Sequence, residues 1–545
     1  MNRIKIGLPM VLNAIIFLTL SAQLVLAQGI EVPEREEGDG PFERVVLRGG
    51  YIIDGTGAPA YGPADIVIEN DRITQIAVVG TPGRPIDPEG RPEEGDREID
   101  AEGKYILPGF VDVHSHIHSQ NVTPESNGDI GQNVSPEYIF KLQLSHGITT
   151  IRSVGSGGIE RIMDFKIRSE RNEITAPRIV AFPMFGNVDS VEAARARVRE
   201  IKEGGADGIK FLGAPRDILW AALEEAENLD LQTTMHHAQT DVTHANVLTT
   251  SARGLDSMEH WYGLPEAMFE DRLIQDYPSD YIYTDEMDRF GEAGKLWKQA
   301  APPGSEKWNE VMDTLLERDF ALNPTFTIYV ASRDLMRMSR AIWHDEYTMP
   351  ALWDFYRPSP VAHGSYWFYW TTGHEVEWNE NFRLWMQFIN EYKNRGGKVG
   401  VGSDTGYIYS LYGFGYIQEF ELLQEAGFHP LEVIRSATLI GAEELQMDNE
   451  IGSLQVGKKA DLVIVDENPL HNFKVLYGTG AVKLNEESGD VERVGGVRWT
   501  IKDGIIYDAF QLRADIRAMV RASKIERGIS LDKPLSISNV PSDSL

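Results

Sequence analysis

The sequence predicts an α/β protein in which a barrel of eight parallel strands lies beside smaller β-structure built from both ends of the chain. Between residues 108 and 449, short apolar or β-branched runs alternate with helical stretches, which is the pattern of a parallel sheet. On either side of this region the alternation gives way to short strands separated by turn residues. Eight strand candidates in one series favour a closed (β/α)8 barrel over an open sheet.

The first 27 residues match a secretory signal peptide. Arg3 and Lys5 form a positive start, residues 10–20 are almost wholly apolar, and Val25-Leu-Ala27 supplies small residues for cleavage after Ala27. This pattern predicts a secreted or periplasmic protein with no membrane span after cleavage, and an uncleaved anchor is the alternative. The chain has no cysteine, so export to an oxidising compartment involves no disulfide.

The rest of the chain divides at changes in composition. Residues 28–43 are rich in Glu, Gly and Pro and predict a flexible leader. The strands of residues 44–107 and 450–510 are expected to join in one composite β-sandwich beside the barrel at 108–449. The tail, residues 511–545, is predicted to begin as a helix and to end as a loose Ser/Pro-rich segment.

Size and charge restrict the classes of function. With 545 residues, the chain is ample for a barrel and an accessory domain. Its net charge of -31 makes nucleic acid and anionic membrane surfaces unexpected partners. A small-molecule substrate is the expected partner, and assembly into a homo-oligomer is left open.

The barrel strands are assigned from apolar or β-branched runs between turn and helix signals. They are Phe110–Val113, Gly147–Arg152, Arg178–Phe182, Asp207–Phe211, Leu231–His237, Leu255–His260, Phe320–Phe326 and Lys398–Asp404. Two insertions, 264–303 and 343–392, interrupt the later part of the series. The second is rich in tryptophan and predicts either an extra helical layer with its own core, or a lid or subunit contact.

Residues that can bind a metal lie at or beside the ends of five of these strands. Because side chains alternate along a strand, His114 and His116 leave the first strand on the same side. The other candidates in the series are Lys210, His237, His260 and Asp404. Imidazole nitrogen and carboxylate oxygen suit a divalent metal, and the absence of cysteine excludes thiolate ligands.

Two of these candidates leave a choice open. Lysine is a poor metal ligand while charged, so Lys210 is either modified or paired with a nearby carboxylate. Alternation along a strand lets only one of the adjacent His236 and His237 face the barrel mouth.

The chain resembles the metal-dependent amidohydrolase superfamily, and within it the imidazolonepropionase-like and Xaa-Pro dipeptidase-like branch. The likeness covers most of the chain outside the two insertions and the tail. The segments that carry it are Ile53–Gly57, Leu107–His116, Gly147–Thr150, Gly205–Lys210, His237–Ala238, Ser257–His260, Gly402–Asp404 and Ile451–Val465. Within them, the match to a His-Ala pair favours His237 over His236.

The resemblance implies a pair of divalent metals, expected to be zinc. The implied roles are one metal bound by His114 and His116, a bridge from carboxylated Lys210, a second metal bound by His237 and His260, and Asp404 as a ligand of the first metal that handles the proton of a bridging hydroxide. Such a site hydrolyses an amide or peptide-like C–N bond, as in a dipeptide or an N-acyl amino acid, and is not that of an ordinary endopeptidase.

Two other functions remain open from the residues alone. The same site suits hydrolysis of an ester, a lactone or a cyclic amide, because specificity resides in the loops. A secreted, non-catalytic binding scaffold is the remaining alternative. One departure from the family pattern concerns the second strand, where Arg152 is followed by Ser153 instead of an aspartate.

Overall fold

The computed structural model describes residues 32–531 and 535, except residues 87, 118–133, 156–157 and 359–363. The predicted signal peptide, residues 1–27, lies outside the described residues, as does most of the chain beyond residue 531. Within the described ranges, no helix is both long enough and apolar enough to cross a membrane.

The described residues form 18 strands, numbered in chain order. They are β1 (Arg44–Ile52), β2 (Tyr61–Glu69), β3 (Arg72–Val78), β4 (Arg97–Asp100), β5 (Tyr105–Pro108), β6 (Phe110–Ser115), β7 (Ile148–Val154), β8 (Arg178–Phe182), β9 (Gly208–Phe211), β10 (Gln232–Met235), β11 (Ser257–Glu259), β12 (Ala321–Asn323), β13 (Lys398–Val399), β14 (Leu462–Val465), β15 (Ala481–Leu484), β16 (Val491–Val494), β17 (Val497–Lys502) and β18 (Ile505–Asp508).

Helices separate the strands of the central region and fill both insertions. They are α1 (Pro136–Ser145), α2 (Ile159–Glu170), α3 (Val191–Glu203), α4 (Arg216–Asn228), α5 (Val247–Ser251), α6 (Leu264–Ala267), α7 (Glu286–Ala293), α8 (Glu306–Glu317), α9 (Val330–Arg333), α10 (Leu335–Ser339), α11 (His344–Tyr347), α12 (Pro350–Phe355), α13 (Thr372–Asn394), α14 (Phe414–Ala426), α15 (Pro430–Arg435), α16 (Gly441–Glu444) and α17 (Ala509–Glu526). Short 3-10 segments follow at Trp297–Gln299, Phe326–Tyr329, Trp367–Tyr369 and Phe473–Leu476.

Several helices begin where the sequence provides a capping hydroxyl. The side chain of Ser190 accepts a hydrogen bond from Ala193 N at the start of α3, and Ser305 accepts one from Trp308 N at the start of α8. Gly204 and Gly205 follow the last residue of α3 and end that helix, because glycine adopts the conformations that a chain needs to leave a helix.

The central strands form two parallel sheets, β6-β7-β8 and β9-β10-β11-β12-β13. Backbone hydrogen bonds also connect the outer strands of the two sheets. Phe185 N, just beyond β8, donates to Lys210 O in β9 at 2.9 Å, and Val113 N in β6 donates to Val401 O, just beyond β13, at 3.0 Å. The strand ends that carry the candidate ligands therefore lie along one edge of a continuous set of strands.

Eight of the accessory strands form one sheet, ordered β18-β17-β14-β5-β1-β2-β3 with β4 beside β1, and β15 pairs with β16 in a separate two-stranded sheet. Antiparallel pairing of β14 with β5 joins the two chain ends, as predicted. Side chains of β1 and β2 share one buried hydrophobic cluster with side chains of β14, β17 and β18, an arrangement consistent with the predicted β-sandwich, which stays a prediction. The register of β1 shifts at Gly50, next to Gly49 with φ +75°, so its first half pairs with β4 and its second half with β5.

The predicted flexible leader is also corrected for its described part, residues 32–43. Val32 is buried, and Asp39 and Ile506 exchange two backbone hydrogen bonds of 2.9 and 3.0 Å. Glu37 accepts a hydrogen bond of 2.6 Å from Thr175 and contacts Lys141. Glu37 thus supplies an ion-pair partner for Lys141 on α1, so the acidic composition does not keep this part of the segment free.

Five of the six tryptophans in the second insertion are buried, and Trp370 is partly buried. Trp378 and Trp385 on α13 are fully buried, and Trp353 and Trp367 are 5% exposed. Trp378 stacks on Tyr329 with ring centroids 5.4 Å apart. This packing favours the predicted helical layer, which adds to the core beside strands β11 and β12.

A buried ion-pair cluster joins the parallel strands to the accessory sheet. Arg178, the first residue of β8, pairs with Asp461 and Asp503, which come from the C-terminal part of the chain. Burial alone would raise the pKa of Asp503, but the positive charges of Arg178, Lys502 and Lys459 hold that pKa below its usual value. Loss of the arginine would leave two buried carboxylates without their main partner.

We therefore expect Arg178→Met to lower the free energy of unfolding by about 3–5 kcal/mol, because it leaves buried charge uncompensated. Urea unfolding followed by circular dichroism measures the change. Arg171→Met is the matched control, since that side chain is 67% exposed and 3.7 Å from Glu173, and its effect should stay within about 0.5 kcal/mol. Equal midpoints for the two variants would contradict the role given to Arg178.

Candidate metal centre

Three histidines converge on the carboxylate of Asp404. His116 Nε2 lies 2.9 Å and His114 Nε2 3.3 Å from Asp404 Oδ1, and His260 Nε2 lies 3.6 Å from Oδ2. The Nε2 atoms of His114 and His116 are 3.2 Å apart. Among the described residues, ligand atoms of His114, His260 and Asp404 all lie within 4.8 Å of one another, as expected of a metal site.

Backbone geometry at the strand ends brings these side chains together. His114 and His116 share one face of β6 and its continuation, as the alternation predicts. His260 and Asp404 have φ of +61° and +45°. Non-glycine residues rarely adopt this left-handed conformation, which costs about 1–3 kcal/mol and occurs at functional sites where the surrounding structure imposes it. Each turns its side chain out of the strand's ordinary alternation and towards the centre.

Asp112 fixes the relative position of the two outer strands of the centre. Its Oδ1 accepts hydrogen bonds from His114 N at 3.1 Å and Ser403 N at 3.0 Å, and Ser403 Oγ donates to Oδ2 at 2.6 Å. Asp404 N also donates to His114 O at 2.9 Å. These bonds hold the ends of two strands that are almost 300 residues apart in the chain, so His114 and Asp404 keep a fixed separation.

Outer partners leave the Nε2 atoms of His114 and His260 facing the centre. His260 Nδ1 lies 2.5 Å from Thr325 Oγ1. His114 Nδ1 lies 3.4 Å from Glu259 Oε1, an ion-pair distance that is not aligned as a hydrogen bond. A polar partner on the outer nitrogen of a histidine is typical of metal ligands, because it fixes the tautomer and the ring orientation.

Lys210 lies beside the centre and is paired with a carboxylate. Its Nζ contacts Glu259 Oε2. The side chain is almost fully buried, and burial lowers the pKa of Lys210 well below its usual value. Beneath this pair, Arg152 donates to Glu444 Oε1 at 2.7 Å and to Val113 O at 2.6 Å. The predicted candidate is thus in place, and the contact matches the alternative in which lysine pairs with a carboxylate.

The structure places His236, and not His237, at the centre. The rings of His236 and His260 have centroids 4.8 Å apart, whereas His237 Nε2 lies 2.9 Å from Thr250 Oγ1 on α5. The register explains the correction. Thr234 is paired with Lys210 on β9, and residues paired across a sheet share a face, as do residues two apart on one strand. His236 therefore follows Thr234 onto the inner face, and His237 points outwards.

The electrostatics of the centre favour neutral imidazoles around an ionised carboxylate. Burial lowers the pKa of His114 and of His236 well below the usual value. Burial alone would raise the pKa of Asp404, but His114 and the other histidines hold it well below its ordinary range. Neutral imidazole nitrogens and an ionised carboxylate are the forms that bind a divalent metal.

The donor set fits a divalent metal on three grounds. Imidazole nitrogens and a carboxylate oxygen meet at one point, outer partners orient two of the rings, and the buried His236 Nε2 has no hydrogen-bond partner among the described residues. Buried polar atoms without partners are rare in proteins, and a ligand supplies the missing interaction. The residues that would hold metal are His114, His116, His236, His260 and Asp404, with Lys210 beside them.

Sequence reasoning missed Glu259, the carboxylate that contacts both Lys210 and the outer side of His114. Alternation puts Glu259 on the face of Ser257, which is paired with Thr234. The sequence contains this signal, but alternation also places His260 on the opposite face. Both reach the centre only because the chain turns at His260, with its positive φ.

Comparison with known proteins agrees with this geometry. The model of the Amidohydrolase family matches residues 105–277 and 383–494, which is just over half of the chain. The chain therefore belongs to the amidohydrolase family. The predicted resemblance is confirmed at this level.

Two solved structures share the fold. A Xaa-Pro dipeptidase with bound methionine has a TM-score of 0.56 and 18% identity, covering 85% of this chain and all of that one. Bottromycin amidohydrolase has a TM-score of 0.58 and 17% identity, covering 92% and 94% of the two chains.

Curated relatives match over shorter segments. A 5-methylthioadenosine/S-adenosylhomocysteine deaminase of Thermoanaerobacter pseudethanolicus is 41% identical over 64 residues, which is 12% of this chain and 15% of that protein. The match to a D-hydantoinase of Streptomyces coelicolor covers 14% of each chain. The chain thus spans less than a fifth of the length of these relatives.

The placement of the adjacent histidines gives a direct test. We expect His236→Asn to lower the metal content of the purified protein, because an inward ligand is lost. His237→Asn should leave the content unchanged, because that ring contacts Thr250. Elemental analysis of both variants, each checked for folding by circular dichroism, measures the difference. Metal loss in the His237 variant alone would contradict the assignment.

The buried carboxyl of Glu419 holds the backbone next to Thr325, and it gives a test of how stability depends on pH. Burial raises the pKa of Glu419 to about 8, and its carboxyl accepts the backbone N–H groups of Phe326 and Thr327, next to Thr325. Because the folded-state pKa lies above the unfolded value, the protonated carboxyl stabilises the protein at low pH. This contribution to stability is lost as the pH rises towards the folded-state pKa. We expect the wild type to lose about 1 kcal/mol per pH unit relative to Glu419→Gln between pH 5 and 8. Urea unfolding at each pH measures this difference, and parallel curves for the two proteins would contradict it.

Proposed function

We propose that the protein is a metal-dependent hydrolase that cleaves an amide or peptide-like C–N bond of a small molecule. The observation that carries the proposal is the meeting of His114, His260 and Asp404 at strand ends in a chain of the amidohydrolase family. The fold shared with a Xaa-Pro dipeptidase and with bottromycin amidohydrolase supports this choice of bond. A dipeptide or an N-acyl amino acid is the proposed substrate type.

The proposal includes closure of the eight parallel strands into a barrel. The backbone hydrogen bonds from Phe185 to Lys210 and from Val113 to Val401 support it, because they connect both outer edges of the two sheets. Catalytic groups in such barrels lie at the carboxyl ends of the strands. The candidate centre has this position, and substrate would enter at the same end.

Asp404 is the proposed general base and acid. Its carboxylate stays ionised because neighbouring histidines hold its pKa low, so it can accept a proton from the attacking water. The same carboxyl can then return the proton to the leaving nitrogen as the C–N bond breaks. Bound divalent metals, with zinc as the proposed ion, would lower the pKa of water and polarise the scissile carbonyl.

Lys210 is the proposed bridging residue after carboxylation. Only an uncharged amine adds carbon dioxide, and burial favours the uncharged form of Lys210. The contact with Glu259 supplies a partner for the amine before this modification. His236 takes the place first predicted for His237, so the proposed ligand set keeps four histidines, the lysine and the aspartate.

The substitution Asp404→Asn tests the proposal. We expect the rate of hydrolysis of N-acyl amino acids or dipeptides to fall by about 10²- to 10⁴-fold, because proton transfer is lost. Asp313→Asn is the matched control, since that carboxylate is 61% exposed and pairs with Arg395 on the surface. Rates are compared at equal metal content, which separates loss of the base from loss of metal.

Metal removal provides a second arm of the same experiment. Chelation should abolish the activity, and readdition of zinc should restore it with about two equivalents bound per chain. Full activity in Asp404→Asn, or activity that survives removal of all metal, would overturn the proposed mechanism. Turnover of esters or lactones with no turnover of any amide would overturn the proposed bond.

A further inference from the structure

The first insertion brings an arginine to the side of the candidate centre. Arg289, on helix α7, is 13% exposed at its side chain, and its Nε donates to Gln239 Oε1 at 3.0 Å. Its guanidinium lies over the rings of Tyr283 and Phe290, 5.0 and 5.2 Å from their centroids. Gln239 belongs to the loop that follows β10 and carries His236. The insertion therefore fixes the guanidinium against a loop of the centre.

Two tyrosines lie between this arginine and the imidazoles. The ring centroid of Tyr262 is 5.4 Å from that of His236, and the ring centroid of Tyr329 is 5.6 Å from that of His260. The guanidinium of Arg289 lies over Phe290, whose ring centroid is 6.2 Å from that of Tyr329, and the Tyr329 centroid is 6.4 Å from that of Tyr262. Arg289 and Tyr262 thus belong to one cluster of side chains beside the ligands.

These residues have hydrogen-bond donors that lack partners among the described residues. Tyr262 Oη is buried and interacts with the side chain of Tyr329, but without the geometry of a hydrogen bond. Arg289 donates through Nε to Gln239 and through Nη1 to Glu286 at 3.5 Å, the outer limit for a hydrogen bond, while its Nη2 donates to no described residue. A buried hydroxyl without an acceptor costs about 1–3 kcal/mol, so an acceptor from a bound molecule fits beside Tyr262 Oη.

We propose that Arg289 and Tyr262 bind a free carboxylate group of the substrate. The planar guanidinium matches a carboxylate, and a phenol adds a third donor. The surrounding walls are aromatic: Phe290 stacks on Tyr366 with centroids 4.1 Å apart, which suits an apolar or aromatic side chain beside the carboxylate. This inference rests on the proposed function and narrows its substrate to amides of apolar amino acids whose carboxylate is free.

This subsite belongs to the particular chain and not to the matched family segments. Helix α7 lies between residues 277 and 383, in the part of the chain that the family model does not match. Glu286 on the same helix partly neutralises Arg289 when no substrate is bound. A substrate carboxylate would accept the remaining hydrogen bonds of the guanidinium, at its Nη2 side.

The test compares N-acetyl-L-phenylalanine with N-acetyl-L-phenylalaninamide as substrates of the metal-loaded enzyme, followed by acetate release. We expect Arg289→Gln to lower kcat/KM for the acid by about ten- to hundredfold, mainly through KM, because a charge-assisted interaction is lost. For the amide, kcat/KM should stay within about threefold. An equal fall in kcat/KM for both substrates would show that Arg289 has a structural role. No fall for either substrate would show that the carboxylate binds elsewhere. Either result would overturn the proposal.

Two further variants control for folding. The double variant Arg289→Gln with Glu286→Gln removes both charges, so no buried carboxylate is left unpaired, and it should discriminate between acid and amide as the single variant does. Arg333→Gln is the matched control, because that guanidinium also lies over a ring, Phe382, but pairs with the half-exposed Glu425. Its kcat/KM should be unchanged for both substrates, and acid-specific loss in this control would overturn the assignment to Arg289.

Binding separates failure of this inference from failure of the proposed function. Calorimetry with 3-phenylpropanoate and 3-phenylpropanamide reads the subsite without turnover, and Arg289→Gln should weaken only the carboxylate, about ten- to hundredfold. Arginine-dependent binding without hydrolysis of either acetyl substrate would support the subsite and overturn the proposed function. Hydrolysis of the acetyl substrates, together with carboxylate binding that is unchanged in Arg289→Gln, would overturn the subsite and leave the proposed function in place.

Discussion

The convergence of three imidazoles on one buried carboxylate is the constraint on which the site depends. Asp404 contacts His114, His116 and His260. The histidines come from two strand ends and the aspartate from a third. Taking an ionised carboxylate out of water is costly unless nearby groups compensate for it. The imidazoles supply part of that compensation, and the fit of the donor set to a divalent metal explains why so many ligating groups occupy one small volume.

The surrounding structure keeps these groups at fixed separations. Asp112 bonds to the backbone at both His114 and Ser403, and Thr325 orients His260 from outside. Glu259 contacts Lys210 and lies near His114, so one buried carboxylate supports two candidate ligands. Positive φ at His260, Thr325 and Asp404 shows that the fold imposes conformations these residues would otherwise avoid.

The insertions place aromatic and cationic side chains around these strand ends. The second insertion packs Trp378 against Tyr329, whose ring in turn lies 5.6 Å from that of His260. The first insertion brings Arg289 to the loop after β10. A common centre with chain-specific walls is consistent with a shared class of chemistry and a substrate set by the insertions.

The sequence by itself determined the parallel-strand region, the accessory strands from both chain ends and five of the six candidate positions at the centre. These follow from local signals, since alternation puts His114 and His116 on one side and capping residues define helices such as α3. The amidohydrolase resemblance rests on short motifs that lie at those strand ends, and the family model confirms it.

Only the tertiary structure decided which of two adjacent histidines faces the centre, how β1 divides its pairing between β4 and β5, and which carboxylate contacts Lys210. Alternation says that His236 and His237 point in opposite directions but not which direction is inward, because the answer depends on pairing with Lys210 on another strand. Glu259 and His260 both reach the centre through a positive φ that no local pattern encodes. Such features arise from contacts between distant segments, so the chain must fold before they exist.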